Sequence, residues 1–393
     1  MTGALILDAV RTPRARVRRG GGTLADIPPA DLLAVLLRQL SERGLRDDRV
    51  DDLIVGVSTA VGEQGGNVGR IAVMNAGWAD TVPAGMVSRL CCSGLDAVIA
   101  GAAQVLSGGA DLIVAAGVES MSRVPMLADA PAFARDAAAG EAAGFVSIGV
   151  SADATALRAG ISRAELDAYG VRSQLRSAAA PAWESIVAVS TPAGAVLSHD
   201  EGARPDTTLE SLAELAPLFA DDPHWERVER RLGLTSGPDR GRHTVGTAPQ
   251  FADAAATVVL ASEAGARDDG RQPRGRVLGW AQAAVRSPGL GATVPASVKA
   301  LARAGIRANE LSVIEVNESF AVTPLLLTRE LGVSADIVNP HGGAISVGHP
   351  LGASGGILIA NALDHLRRRG GGYGLVTIPA ALGLATAIVI EAF

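Results

Sequence analysis

The sequence predicts an α/β fold, a mixed β-sheet covered by helices on both faces. Three observations carry that reading. Short β-rich apolar runs alternate with segments of helical periodicity through most of the chain. The order of these elements recurs at about half the chain length. The 393 residues are 48% hydrophobic and include 47 glycines but only 3% aromatics. Such a chain packs backbone against backbone through glycine-rich turns, not around large rings. Its length suits two or three core-sized units.

Taken in order, Ala4–Val10 is an apolar run closed by Arg11-Thr12-Pro13 and reads as a buried strand. Arg14–Gly22 is a basic, glycine-rich loop. Pro29–Arg43 spaces Leu32, Leu33, Leu36 and Leu40 as a helix does, and Gly44 stops it. Val50–Val57 is a strand, Gly62–Asn67 a loop and Arg70–Asn75 a short helix. Gly85–Leu90 is a strand running into Cys91, Ser93–Ser107 a helix and Asp111–Ala116 a strand. From about Arg123 to Gln250 the pattern changes to proline-containing loops, a helix around Ser162–Ala178 and a charged segment, Asp221–Arg242. This is an excursion from the main fold. The alternation resumes after Phe251 with Ala252–Ala261 and Arg276–Trp280. A helix at Val294–Ala304, a strand at Leu311–Val316, a helix at Ala321–Leu331 and a strand at Asp336–Val338 follow. A helix at Ser354–Arg369 leads to strands at Tyr373–Ile378 and Ala385–Glu391. Val50–Val57 corresponds to Leu311–Val316, and the strand–turn–helix–strand around Cys91 to that around His349. A duplicated fold places a site between its halves, where matching helix N-termini meet.

Composition excludes several classes. The net charge is −6 with no basic block, which argues against a nucleic-acid partner. Lys299 is the only lysine, a composition bias and not a function. The two cysteines are adjacent and form no disulfide framework. Met1–Asp8 lacks a basic segment before a cleavable apolar core, so a cytoplasmic protein is expected. Gly370–Ile390 is uncharged and long enough to span a bilayer, but Pro379 and its glycines make it two buried strands joined by a turn.

Three stretches carry candidate chemistry. In Leu90-Cys91-Cys92-Ser93-Gly94 a thiol stands at the first turn of a helix. Unpaired N–H groups and the helix dipole there favour a thiolate, hence a nucleophile. The alternative is a buried cysteine acting as a small hydrophobe. His349 lies in a glycine-dense turn before a helix, placed to take a proton from Cys91; a structural loop histidine is the alternative. Asn317, in Asn317-Glu318-Ser319-Phe320-Ala321 at the end of a buried strand, could hold a water or a carbonyl oxygen. Equally, Asn317 or Ser319 would cap the helix that follows.

Together these stretches resemble the thiolase family. Cys91-Cys92-Ser93-Gly94 is similar to its nucleophile motif, Val316–Ala321 to its Asn-Glu-Ala-Phe-Ala motif, and Gly342–Gly355 to its Gly-His-Pro motif. Asp8–Pro13, Gly62–Gly65, Glu119–Ser122 and Asp200–Thr208 follow in the family's order, so the resemblance covers the whole chain. It implies two βαβαβαββ halves in a five-layered αβαβα core: an N-terminal half at 1–122 and 251–270, a C-terminal half at 271–393, and an inserted loop domain at 123–250 that binds coenzyme A. It implies a homodimer or homotetramer, coenzyme A thioesters as substrates, and no metal or permanently bound cofactor. Cys91 would carry the acyl group and His349 would activate the thiol. Asn317, through a water, and His349 would form one oxyanion site; the N–H groups of Cys91 and Ala381 would form the other. Ile148, Ala248, Pro249 and Phe320 would line the thioester.

The chain departs from the family where a second cysteine exchanges the α-proton. Pro379 stands at that position, and Ala381 where a glycine would offer its N–H. Pro249 replaces a serine, Ile148 a methionine, and Pro223–His243 is longer and more charged than usual. Cys92, Glu318 and His341 are the side chains that could substitute for the missing cysteine. The expected activity is a thiolase-type acyl transfer, cleaving or forming a β-ketoacyl-CoA with altered proton transfer. The alternatives are changed chemistry on the same fold (thioester hydrolysis, transfer to a non-carbon acceptor, decarboxylative condensation) or a decayed acyl-CoA-binding protein.

Overall fold

A computed structural model describes residues 3–237 and 240–393. Met1 and Thr2, at the start of the Met1–Asp8 stretch, and Pro238 and Asp239, inside Asp221–Arg242, lie outside the described residues.

The first half runs β1 (Ala4–Arg11), α1 (Pro29–Glu42), β2 (Asp52–Gly56), α2 (Val68–Ala76), β3 (Ala84–Val87), α3 (Ser93–Leu106), β4 (Leu112–Ser120) and, after the excursion, β5 (Ala252–Ala261). Within the excursion lie α4 (Ile148–Ala159), α5 (Arg163–Ala178) and α6 (Trp225–Leu232). The second half runs β6 (Gly275–Ala284), α7 (Thr293–Ala304), β7 (Leu311–Val316), α8 (Val322–Leu331), α9 (Ser354–Arg368), β8 (Gly372–Ala380) and β9 (Leu384–Ala392). The strands form one sheet in the order β7-β8-β9-β6-β1-β5-β4-β2-β3. Its halves join where β1 meets β6 through Ala4↔Val277, Leu5↔Arg276 and Ile6↔Gly275.

The layers follow from which faces are apolar. α1 and α2 cover one side of the first half, and α7 covers the far side of the second. α3 and α9 pack on each other between the two sheet halves. The burial pattern repeats this division. One cluster joins Leu95 and Val98 of α3 to Leu358 and Leu363 of α9 and to inward residues of both halves. A second lies under α1 and a third under α7. The expected α/β class and five-layered thiolase-type arrangement are therefore present.

Three elements differ from the sequence reading. Inside the expected Arg14–Gly22 loop, Ala15 and Arg16 pair with Asp253 and Ala252 of β5. Asp336–Val338 is not a strand. Ala335–Ile337 is a 3₁₀ turn and only Val338 bridges Ile314. The Asn339 side chain does the strand's work instead: its Oδ1 accepts from Val316 N and its Nδ2 donates to Val316 O, both at 2.8 Å. Strand β3 stops at Val87, short of Leu90, because Leu90 adopts φ 51°. The uncharged C-terminal stretch is the antiparallel pair β8–β9. Among the described residues no helix is long and apolar enough to cross a membrane.

The excursion is anchored to β1 by Asp200. Its carboxylate accepts from both terminal nitrogens of the buried Arg11 (2.7 and 3.0 Å) and from Arg14 (2.7 Å). Those guanidinium groups overcome burial and hold the Asp200 carboxyl well below its usual range. Trp225 and Val228 of α6 bury onto Val146, Val150 and Ala154.

Candidate active site

Cys91 is delivered by a turn that reverses the chain between β3 and α3. Cys92 N donates to Arg89 O (3.0 Å) and Ser93 N to Leu90 O (3.1 Å). Ser93 Oγ accepts from Arg89 N and donates to Leu90 O (2.9 and 2.6 Å). These bonds hold Leu90 in a left-handed conformation that a branched side chain rarely adopts. Cys92 caps α3, so Cys91 lies just outside the helix. The expected thiolate-favouring position is therefore corrected. Burial, and then the nearby Glu119 carboxyl, push the Cys91 thiol up to about 12. The backbone N–H groups of Cys91 and Ala381 pull the other way, but less strongly. Desolvation outweighs the helix terminus here.

His349 and Asn317 meet in the second half. His349 Nε2 is 3.3 Å from Asn317 Nδ2, and His349 Nδ1 is 2.7 Å from Ser354 Oγ. With the amide donating to Nε2, the ring proton sits on Nδ1 and is shared with Ser354; Nε2 keeps a lone pair, as a base requires. Burial, with Arg14 nearby, lowers His349 to about 3, so the ring is neutral. Asn317 Nδ2 also donates to Ser319 Oγ (2.8 Å). Neither residue caps α8, whose cap is Ala321.

Glycines bring the halves into register. A Cβ on Gly94 would lie 2.2 Å from Gly352 O, and one on Gly355 2.1 Å from Leu95 N. The turn after His349 thus rests directly on the start of α3. Glu119 fixes it: Oε2 accepts from Gly352 N and Ser58 N (2.9 Å each), and Oε1 from Gln64 Nε2 (2.7 Å) and Thr59 N (3.1 Å).

The remaining sequence candidates divide. Ile148, Ala248 and Phe320 share one apolar cluster beside this turn. Pro249 precedes Gln250, whose carbonyl accepts from His349 N at 2.8 Å. Ala381 opens the β8–β9 turn. The three substitutes for a second cysteine are otherwise engaged. Cys92 Sγ donates to Ile378 O (3.2 Å), and burial, then Cys91, push its thiol well above the usual range, which places it as a packing thiol. Glu318 accepts from Tyr169 Oη, Ser173 Oγ and Ile345 N at 2.7–3.0 Å. His341 pairs with His365 (3.0 Å) and stands edge-on to Trp183. Sequence reasoning did not single out Glu119, Ser354 or Arg14. Glu119 lay inside a quoted motif, but its partners come from three separate segments.

The duplicated fold and a buried thiol, imidazole and amide at the junction of its halves define an acyl-transferring enzyme of the thiolase type. Residues 4–224 match the family model described as thiolase, N-terminal domain, and residues 271–392 match thiolase, C-terminal domain. The chain belongs to the thiolase family and is an acyl-CoA acyltransferase. It is 37% identical over 420 residues to a beta-ketoadipyl-CoA thiolase of Pseudomonas putida, covering 100% of both chains. It is 38% identical over 422 residues, again covering both chains fully, to the 3-oxoadipyl-CoA/3-oxo-5,6-dehydrosuberyl-CoA thiolase of Escherichia coli. It is also 35% identical over 415 residues to a steroid 3-ketoacyl-CoA thiolase of Mycobacterium tuberculosis, covering 100% of this chain and 94% of that one.

Proposed function

We propose that this enzyme cleaves a β-ketoacyl-CoA by thiolysis, carrying the acyl group on Cys91. The observation behind the reading is the packing of the His349 turn directly on the start of α3, where Cys91 stands just before the helix, in a thiolase-family chain. The neutral His349–Asn317 pair stands in the adjoining turn. His349 Nε2 takes the thiol proton as the sulfur attacks the β-carbonyl carbon. The oxygen that becomes negative lies against the Cys91 and Ala381 N–H groups, as an oxyanion site requires. Collapse breaks the α–β carbon bond, leaves the shortened acyl group on sulfur and expels acetyl-CoA as its enolate. Asn317 and His349 face that enolate oxygen. Pro379 has no proton to give, so the proton that His349 took from Cys91 completes acetyl-CoA. A free coenzyme A thiol then attacks the acyl-enzyme, its proton returns to the Cys91 sulfur, and the shortened acyl-CoA leaves.

Ile148, Ala248, Pro249 and Phe320 line the thioester in this reading, and 123–250 supplies the coenzyme A surface. The working unit is a homodimer or homotetramer. The names of the first two relatives favour a substrate whose acyl chain ends in a carboxylate. Intact-mass measurement after incubation with 3-ketoadipyl-CoA and with 3-ketohexanoyl-CoA tests the reading. The expected result is an acyl adduct that Cys91→Ala abolishes, with acetyl-CoA released. Free acid without carbon–carbon cleavage, or no adduct from either compound, overturns it.

A further inference from the structure

A cleft of about 450 Å³ opens beside the apolar cluster that holds Phe320. Its walls are contributed by α4, by α8, by the loop before α7 and by Leu232 at the end of α6. They are largely aliphatic: Ala159, Leu232, Val285 and Leu326 face it. Its charge is unbalanced. Arg158, Arg286 and Arg329 line it against one carboxylate, Glu330. Arg329 is engaged by Ala159 O (2.8 Å) and Glu330 (3.7 Å). Arg158 and Arg286 have no hydrogen bond or ion pair among the described residues, whereas the third guanidinium of the cleft, Arg329, is engaged.

The cleft lies one side chain from the proposed thioester site. Gly289 and Gly291 line it, while Leu290 between them packs with Phe320, Ala248 and Ile345. Leu290 N donates to Thr155 Oγ1 (3.0 Å), and Thr155 also lines the cleft. An aliphatic passage ending in unpaired guanidinium groups is complementary to a methylene chain with a terminal oxyanion.

We propose that this cleft is the distal acyl subsite: an acyl chain passes Leu290, and Arg158 and Arg286 bind its terminal carboxylate. The proposal rests on the reading of the enzyme as a β-ketoacyl-CoA thiolase, and it locates what selects a dicarboxylic acyl chain. It is tested without turnover on the Cys91→Ala protein by calorimetric titration with adipyl-CoA and hexanoyl-CoA, which differ only at the chain end. Adipyl-CoA binds about tenfold or more tightly, as a charge-assisted contact provides. Arg158→Ala and Arg286→Ala, both at exposed positions, erase that preference. Equal affinity for the two ligands, or a preference that survives both substitutions, overturns the proposal. Equal weakening of both ligands also overturns it, because the anion held is then a coenzyme phosphate. Acylation of wild-type Cys91, followed separately by mass, fails only if the thiolase reading itself fails.

Discussion

At 7% exposure, with a carboxyl and no cation acting on it, the Cys91 thiol is protonated at rest. In the proposed mechanism His349 removes that proton as attack occurs, with no standing thiolate stored. A thiol raised to about 12 gains thiolate tenfold per pH unit throughout the range below. Alkylation of Cys91 by iodoacetamide therefore accelerates steadily from pH 7 to 10, followed by mass; a plateau below pH 9 would show a stabilised thiolate. Pro379 is the other residue on which the proposed mechanism turns. β7 pairs with Tyr373–Thr377, so Pro379 lies beyond its neighbour's end, and its missing N–H costs no bond on that side. Pro379→Cys is thus tolerated by the sheet and raises the rate of acetyl-CoA release, on the order of tenfold or more for an added acid. A folded, acylated variant with unchanged release would remove proline as the limitation. Cys91, His349 and Asn317 stood out as candidates in the sequence because their residue types and turn contexts point to chemistry, and the structure gathers them at one junction. The raised thiol was not legible there, since burial and Glu119 act through residues distant in sequence.

Among the elements, the packing of α9's leading turn on α3 governs the site. A methyl group at Gly94 meets backbone, Gly352 O at 2.2 Å, and backbone cannot rotate aside as a side chain can. Gly94→Ala is expected to destabilise by roughly 1–3 kcal/mol, as overpacking does. It should also slow Cys91 acylation, because the His349 turn moves away from the sulfur. Thermal melting and acylation rate check both; an unshifted midpoint would show that the two turns separate freely. Most elements were legible from apolar periodicity, from β1 through α9. The expected strand at Asp336–Val338 was not, because an asparagine side chain mimics a strand's backbone and leaves no periodic signal. The end of β3 was hidden by Leu90, whose φ of 51° no leucine advertises.

For the molecule as a whole, the duplication was visible as a repeated order of elements, whereas the β1–β6 seam is a long-range pairing that pattern cannot reveal. The buried junction also sets acid sensitivity. His349 is lowered to about 3 in the folded protein and titrates near 6.5 when unfolded. Between those values only the unfolded chain binds the proton. Its stabilising contribution is complete above about 6.5 and declines by about 1.4 kcal/mol per pH unit as acidity rises. Wild type should lose more thermal stability than His349→Asn between pH 7 and 5; equal losses would show that the imidazole is solvated or charged in the folded state.

The glycine contacts at the junction also bear on how such an enzyme diversifies. Gly56, Gly94, Gly117, Gly352 and Gly355 each place a hypothetical Cβ within 2.1–2.8 Å of backbone atoms from another segment. Selection at these positions has no gradation to work with, since even the smallest side chain is excluded. Change in substrate preference is therefore expected away from this seam, at those side chains of α4, α6 and the loop before α7 that line the cleft. A library confined to those segments should yield folded enzymes of altered selectivity, whereas one aimed at the glycine seam should return mostly unfolded protein.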